Sequence, residues 1–103
     1  MLEQIDQSVA RVLAWEPKAV LEIGCGTGLL LLRIAPRCSS YLATDFSAAA
    51  LSYVGRQLEE RALGHVELLG RAADDFDGMA PDAFDAVVIN SVAQYFQIGR
   101  AHV

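Results

Sequence analysis

The chain contains a short apolar run that ends in an acid and leads directly into a glycine-rich segment. Glu22 lies within the apolar residues 20–23, three glycines follow at positions 24, 26 and 28, and the apolar residues 29–32 come next. This pattern predicts a buried strand, a tight turn and a helix start, because glycine adopts the backbone angles of a tight turn and lets a ligand approach closely. A strand, a glycine loop and a helix in this order indicate a nucleotide-binding unit.

The rest of the chain alternates between helical and extended patterns. We predict a helix over about the first fourteen residues, ended by Pro17, a helix at 29–35, and a helix from an N-cap at Ser47 to about residue 62, with Gly64 as its C-cap. We predict strands at 19–23, 41–44, 65–69 and 84–90, and a turn or short helix at 72–79. Strands that alternate with helices form parallel sheets, and ligands bind at the carboxyl ends of such strands.

Composition limits the classes of protein to which the chain can belong. Its 103 residues are 53% hydrophobic and carry a formal net charge of −5, which suits one small domain or a piece of a larger one and argues against a broad nucleic-acid-binding surface. No apolar run is long enough to cross a membrane, and the N-terminus lacks the pattern of a signal peptide. We therefore expect a cytoplasmic location, with Cys25 and Cys38 as free thiols and no metal site.

The glycine spacing departs from the dinucleotide fingerprint. That fingerprint, Gly-x-Gly-x-x-Gly/Ala, requires Gly or Ala at position 29, where this chain has Leu29. Glu22 is a second departure, because a carboxylate repels a pyrophosphate but attracts an ammonium or sulfonium ligand. Cys25 needs only to be small and has no neighbouring base, so we do not expect a nucleophile there.

Asp45 ends the second predicted strand, where a carboxylate can accept hydrogen bonds from both hydroxyls of a ribose. An equally simple role is that of a turn residue before the next helix, and the two roles are compatible. Phe46 follows it and fits either the face of an adenine ring or the core.

Three segments resemble those of one family. Val-Leu-Glu-Ile-Gly-Cys-Gly-Thr-Gly resembles the first motif of class I S-adenosylmethionine-dependent methyltransferases, Tyr-Leu-Ala-Thr-Asp-Phe-Ser their second, and Phe-Asp-Ala-Val-Val-Ile-Asn-Ser their fourth strand. Arg-Ala-Ala-Asp-Asp-Phe and Asn-Ser-Val-Ala-Gln-Tyr-Phe are similar to methyltransferase domains embedded in nonribosomal peptide synthetases. The resemblance covers residues 19–96 and implies an α/β fold with a Rossmann-like parallel sheet of the class I methyltransferase type, truncated after the fourth strand.

The resemblance also implies a set of site residues for S-adenosyl-L-methionine. Its amino-acid end would lie against Gly24, Cys25, Gly26 and Gly28, with Glu22 near its amino group, and Asp45 would bind its ribose. The adenine would contact Phe46 and the segment Ala72, Ala73 and Asp74, although many relatives have an acid where this chain has Arg71. Asp74 is equally compatible with a solvated residue at a helix start.

Residues after the fourth strand are expected to line the entrance to the transferring methyl group. They are Asn90, which also belongs to the cofactor set, Gln94 and Tyr95, and we assign these three the catalytic role. The alternative is that Asn90 caps a helix in which Tyr95 packs.

The implied activity is methyl transfer from S-adenosyl-L-methionine, with N-methylation of a carrier-bound aminoacyl or peptidyl group as the commoner reaction of embedded domains. The partners would be a carrier-tethered or small-molecule substrate and the flanking domains of a megasynthase. A free-standing small-molecule methyltransferase, a nucleotide-dependent oxidoreductase and a non-catalytic nucleotide-binding module stay open as alternatives.

The end of the chain lacks any periodicity. We expect residues 1–96 to form the N-terminal part of a methyltransferase domain and residues 97–103 to be a non-native tail produced by read-through. In that case the fourth strand would be an unprotected edge of the sheet, and the fragment alone would bind cofactor weakly or not at all.

Overall fold

A five-stranded sheet organises the molecule, in the order β3-β2-β1-β4-β5. The computed structural model describes the backbone of residues 2–72, 83–89 and 94–97, and the side chains of residues 5–72 and 83–89. The strands are β1 (Ala19–Ile23), β2 (Ser40–Asp45), β3 (Val66–Gly70), β4 (Ala86–Ile89) and β5 (Gln94–Gln97), and β1 to β4 are parallel to one another, whereas β5 is antiparallel to β4. The predicted α/β class with a Rossmann-like parallel sheet is confirmed.

The register places the carboxyl ends of the parallel strands side by side. Ile23 at the end of β1 lies opposite Thr44 of β2 and Ile89 of β4, and Asp45 lies opposite Gly70 at the end of β3. The segments that follow these strands therefore meet at one edge of the sheet, as the sequence predicts for a ligand site.

Three helices cover one face of the sheet. They are α1 (Leu2–Ala14), α2 (Leu31–Ile34), which continues into a 3₁₀ turn at Ala35–Arg37, and α3 (Ala48–Glu60). Their buried side chains join alternate residues of the strands in one core: Val9, Val12, Leu31, Ile34, Val54 and Leu58 from the helices, and Val20, Tyr41, Ala43, Ala86 and Val88 from the sheet. Alternate strand residues share a face, so this core fixes which side chains of β1 and β2 face the helices.

The start of β1 is tied to the start of β4 by one carboxylate. Asp85 Oδ2 accepts hydrogen bonds from the backbone N–H groups of Lys18 at 2.8 Å and Ala19 at 3.0 Å, while its own N–H donates to Ala19 O at 2.7 Å. Because Asp85 is used in this way, β4 begins at Ala86, whereas the sequence predicted a strand that begins at residue 84.

Two predicted helix boundaries are wrong. The glycine loop does not lead directly into a helix at residue 29, because α2 begins at Leu31 and has four residues. Gly64 is not the C-cap of α3, because the chain leaves that helix at Arg61 and Ala62 adopts a φ of 57°. The predicted N-cap is confirmed, since Ser47 Oγ accepts a hydrogen bond from Ala50 N at 3.2 Å.

The expectation that β4 would be an unprotected edge is also wrong. β5 pairs with it antiparallel, with Gln94 opposite Ile89 and Gln97 opposite Ala86. Tyr95 therefore lies in a strand and not in a helix. β5 includes Gln97, the first residue of the predicted tail, and the remaining tail residues 98–103 lie outside the described residues, as do residues 73–79 of the predicted turn.

The end of α3 is a Schellman motif without glycine. Leu63 N donates to Leu58 O at 3.0 Å and Ala62 N donates to Glu59 O at 3.2 Å, which is the hydrogen-bond pattern of that motif. An alanine in the left-handed region costs about 1–2 kcal/mol relative to glycine, because its Cβ approaches the following carbonyl.

Ala62→Gly is expected to raise the free energy of unfolding by about 0.5–1 kcal/mol, because the relief of strain exceeds the added entropy of the unfolded chain. Gly64→Ala, by contrast, should leave stability unchanged or raise it slightly, since Gly64 has no positive φ and a Cβ there would meet no atom within 4 Å. Urea unfolding of both variants tests this assignment, and a loss of stability in Gly64→Ala would mean that Gly64 is the cap after all.

Candidate functional site

The glycine loop at the carboxyl end of β1 adopts a backbone that only glycine accommodates without strain. Gly24, Gly26 and Gly28 have φ angles of 77°, 56° and 84°. The predicted tight turn is therefore confirmed, and each of the three glycines is required by its own conformation.

Most of the loop amides already donate to protein acceptors. Gly24 N and Cys25 N donate to Thr44 O at 2.8 and 3.0 Å, and Gly28 N donates to Cys25 O at 3.0 Å. Gly26 N donates to Asp45 Oδ2 at 2.8 Å. Pyrophosphate-binding loops direct such amides at the phosphate oxygens, so this loop has a different use for its donors.

Asp45 joins the glycine loop to the start of α3. Its Oδ2 accepts the Gly26 N–H and its Oδ1 accepts the Ser47 N–H at 2.9 Å, while its backbone oxygen accepts the Arg71 N–H at 3.0 Å. The turn role considered for Asp45 is therefore present. An ionised carboxylate has about four acceptor positions, so the two backbone contacts leave capacity for ligand hydroxyls.

Glu22 is a buried carboxylate immediately before the loop. Its side chain is 0% exposed, and Glu22 Oε1 accepts a hydrogen bond of 2.8 Å from the hydroxyl of Tyr41, which is 1% exposed. A buried carboxylate requires such partners, because burial removes the water that would otherwise solvate its charge. Burial and the neighbouring Glu22 carboxylate raise the pKa of Tyr41 well above its usual value, so Tyr41 stays protonated and acts as the donor.

Cys25 lies in the loop with its side chain buried. Burial, together with the nearby carboxylates Glu22 and Asp45, raises the pKa of the Cys25 thiol to about 12. The thiol is therefore protonated at neutral pH and unsuited to nucleophilic attack, in agreement with the sequence prediction. Both cysteines are free thiols, as expected.

Gly26 and Gly28 differ in their surroundings. A Cβ added at Gly26 would meet no atom within 4 Å, so the space beside this residue is open to a ligand. A Cβ at Gly28 would lie 3.3 Å from Val54 Cγ2 and 3.5 Å from Leu32 Cγ, because α3 packs closely against the loop. Gly28 thus allows the close approach of a helix. The dinucleotide fingerprint assigns this role to the residue at position 29.

Phe46 projects into solvent beside this loop. Its side chain is 85% exposed, which contradicts the alternative that it belongs to the core, and Leu29 is 53% exposed. Phe46 follows Asp45 directly, so a ligand held by Asp45 would have an aromatic face within its reach.

The remaining predicted site residues are only partly described. Ala72 is exposed and follows Arg71, whose N–H contacts Asp45 O. The backbone of Gln94 lies opposite Ile89 at the carboxyl end of β4, and Tyr95 lies opposite Val88, one residue farther from that edge. Ala73, Asp74 and Asn90 lie outside the described residues.

Two absences concern the described ranges alone. Within them, no group of three or more His, Cys, Asp or Glu side chains is arranged to hold a metal ion, and no helix has the length and apolar character needed to cross a membrane. His65 makes a contact of 2.7 Å between its Nε2 and the backbone oxygen of Ala35.

The sequence did not point to Tyr41 as part of the site. Its contact with Glu22 depends on the register between β1 and β2, because Tyr41 lies opposite Val20 and Glu22 lies opposite Ala43. The one available signal is that parallel pairing places a tyrosine and a glutamate on the same buried face of adjacent strands.

Two alanine substitutions in the loop should have unequal effects on stability. Gly28→Ala is expected to lower the free energy of unfolding by about 2–4 kcal/mol, because it adds a close contact with Val54 to the left-handed strain. Gly26→Ala is expected to cost about 1 kcal/mol, since it brings the strain alone. Urea unfolding of the matched pair measures the difference, and an equal or larger loss for Gly26→Ala would contradict the packing role of Gly28.

Comparison with known proteins gives the family. A family model described as a methyltransferase domain matches residues 21–102. Chondramide synthase cmdD of Chondromyces crocatus is 55% identical over 94 residues, which are 89% of this chain and 2% of that protein. A probable non-canonical nonribosomal peptide synthetase, CymA of Salinispora arenicola (strain CNS-205), is 42% identical over 96 residues, 93% of this chain and 1% of that protein.

A solved structure shows the same fold. The O-methyltransferase TomG from Streptomyces achromogenes, in complex with SAM, aligns with a TM-score of 0.67 and 23% identity over 84% of this chain and 43% of that one. The chain itself spans about 2% of the length of the first of its curated relatives. With a matching domain model over most of its length and relatives well above 30% identity, the chain belongs to the methyltransferase domain family.

Proposed function

We propose that this chain is the N-terminal part of an S-adenosyl-L-methionine-dependent methyltransferase domain within a nonribosomal peptide synthetase, and that it N-methylates a carrier-bound aminoacyl or peptidyl substrate. The observation that carries the proposal is the chemistry of the glycine loop. Its amides donate to Thr44, Cys25 and Asp45, and two carboxylates flank it. Such a loop suits a ligand with an ammonium, a sulfonium and sugar hydroxyls better than a pyrophosphate.

The residues present fit the proposed cofactor. Asp45 has acceptor capacity for ribose hydroxyls beyond its bonds to Gly26 and Ser47. We assign the buried carboxylate of Glu22, which precedes the loop, to the amino group of the methionine end. We assign the open space beside Gly26 to the close approach of the ligand, and the exposed ring of Phe46 to the adenine. The cofactor would supply an electrophilic methyl group, and the protein would align the acceptor with it and exclude water.

The proposed acceptor side rests on fewer described residues. Gln94 lies at the carboxyl end of β4, the edge of the sheet where the glycine loop and Asp45 also lie. We keep Asn90, Gln94 and Tyr95 as the proposed catalytic group and Ala72, Ala73 and Asp74 as the proposed adenine contacts. The relatives named as peptide synthetases support flanking domains and a tethered substrate, and the two free thiols support a cytoplasmic location.

Cofactor choice provides the first test. Isothermal titration of the protein that carries this chain, produced with its neighbouring domains, is expected to show binding of S-adenosyl-L-methionine and no binding of NAD⁺ at the same concentrations. Asp45→Asn should weaken the binding by about tenfold, because an amide replaces a charged acceptor. Binding of NAD⁺ in place of S-adenosyl-L-methionine would favour an oxidoreductase or another nucleotide-binding module.

Acceptor choice provides the second test. A carrier protein loaded with an aminoacyl thioester through phosphopantetheine is expected to gain one methyl group on nitrogen, located by fragmentation mass spectrometry. The same carrier without phosphopantetheine, mixed with the free amino acid, is the matched control and should yield no product. Equal methylation of the free amino acid would instead indicate a small-molecule methyltransferase, and a methyl group on carbon or oxygen would change the reaction assigned.

A further inference from the structure

Glu22 and Tyr41 form a polar contact within the core. The hydroxyl of Tyr41 donates to Glu22 Oε1 at 2.8 Å, and both side chains are fully buried between the sheet and its helices. The neighbours of Glu22 in the register are Ala43 and Val88, neither of which carries a side-chain donor. Tyr41 lies two residues before Ala43 on β2 and on the same face of the sheet, and its hydroxyl reaches the Glu22 carboxylate from there.

A hydrogen bond to one carboxylate oxygen constrains the whole group. Rotation about the last bond of a glutamate side chain is otherwise broad, so a fixed Oε1 also fixes the plane of the carboxylate and the direction of its other oxygen. Because Glu22 directly precedes Ile23 and the glycine loop, this orientation bears on any cation bound there.

We propose that Tyr41 is a positioning residue, whose hydroxyl orients the Glu22 carboxylate toward the ammonium group of the amino-acid end of S-adenosylmethionine. The inference rests on the proposed function, because it requires a ligand with such an ammonium. It makes Tyr41 act through Glu22 alone, with no contact to the ligand. Its effect should therefore be specific to ligands that carry the amino-acid end.

A truncated ligand separates this role from a structural one. S-adenosylhomocysteine carries the amino-acid end, whereas 5′-methylthioadenosine has the same nucleoside and thioether without it. In Tyr41→Phe, isothermal titration is expected to show S-adenosylhomocysteine bound about tenfold more weakly and 5′-methylthioadenosine bound with unchanged affinity. An equal loss for both ligands, or no loss for either, would overturn the proposal, because general loosening of the core does not distinguish them.

Two further variants serve as controls. Tyr53→Phe removes the same hydroxyl from a tyrosine on α3 that is 43% exposed, and it should change neither affinity. Glu22→Gln should weaken S-adenosylhomocysteine and spare 5′-methylthioadenosine, and adding Tyr41→Phe to it should cause little further loss. A full further loss in the double variant would mean that Tyr41 acts independently of Glu22, which contradicts the proposal.

Binding of S-adenosylhomocysteine by the unmodified protein distinguishes a failure of the proposed function from a failure of the positioning role of Tyr41. If the unmodified protein, produced with its neighbouring domains, binds no S-adenosylhomocysteine, the proposed function and this inference fail together. If it binds normally and Tyr41→Phe binds equally well, only the positioning role of Tyr41 is overturned.

Discussion

The carboxylate of Asp45 is the interaction on which the site geometry depends. It accepts the N–H of Gly26 in the loop after β1 and the N–H of Ser47 before α3, so one side chain holds two segments that approach each other only in the folded sheet. The backbone oxygen of Thr44 accepts two further hydrogen bonds, from the N–H groups of Gly24 and Cys25. A loop with three positive φ angles is thus held in place by the end of the neighbouring strand, and β2 organises the turn that β1 begins.

Burial of the Glu22 carboxylate lowers the stability of the core that surrounds it. An apolar residue at this position would pack against Val20, Ala43 and Val88 without any desolvation cost. Tyr41 offsets part of that cost with a hydrogen bond to a charged group, which contributes about 1.5–3 kcal/mol. A core that accommodates a buried carboxylate directly before the glycine loop follows the general tendency of functional sites to depart from optimal packing.

Local patterns predicted much of this fold, and contacts set by register account for what they missed. The apolar spacing of α1, the short strand β1 and the cap at Ser47 were each predictable, because they depend on neighbours within a few residues. The Glu22–Tyr41 hydrogen bond and the contact of Gly28 with Val54 were not, since each depends on how distant segments align. The role of Ala62 at the end of α3 was missed because glycine is the residue usually found in the left-handed conformation. The strand β5 was missed because it depends on pairing with β4.

The same order of strand, glycine loop and helix serves ligands of opposite charge, and the loop amides decide between them. A pyrophosphate site requires amides that point outward and a helix whose N-terminus faces the phosphate. Here Gly26 N and Gly28 N point to protein oxygens, and α2 begins two residues beyond residue 29 and is only four residues long. Burial raises the pKa of the Cys25 thiol, and the carboxylates of Glu22 and Asp45 raise it further. A loop with its donors satisfied internally and carboxylates on either side is less suited to an anion than to a ligand with positive charge and hydroxyl groups.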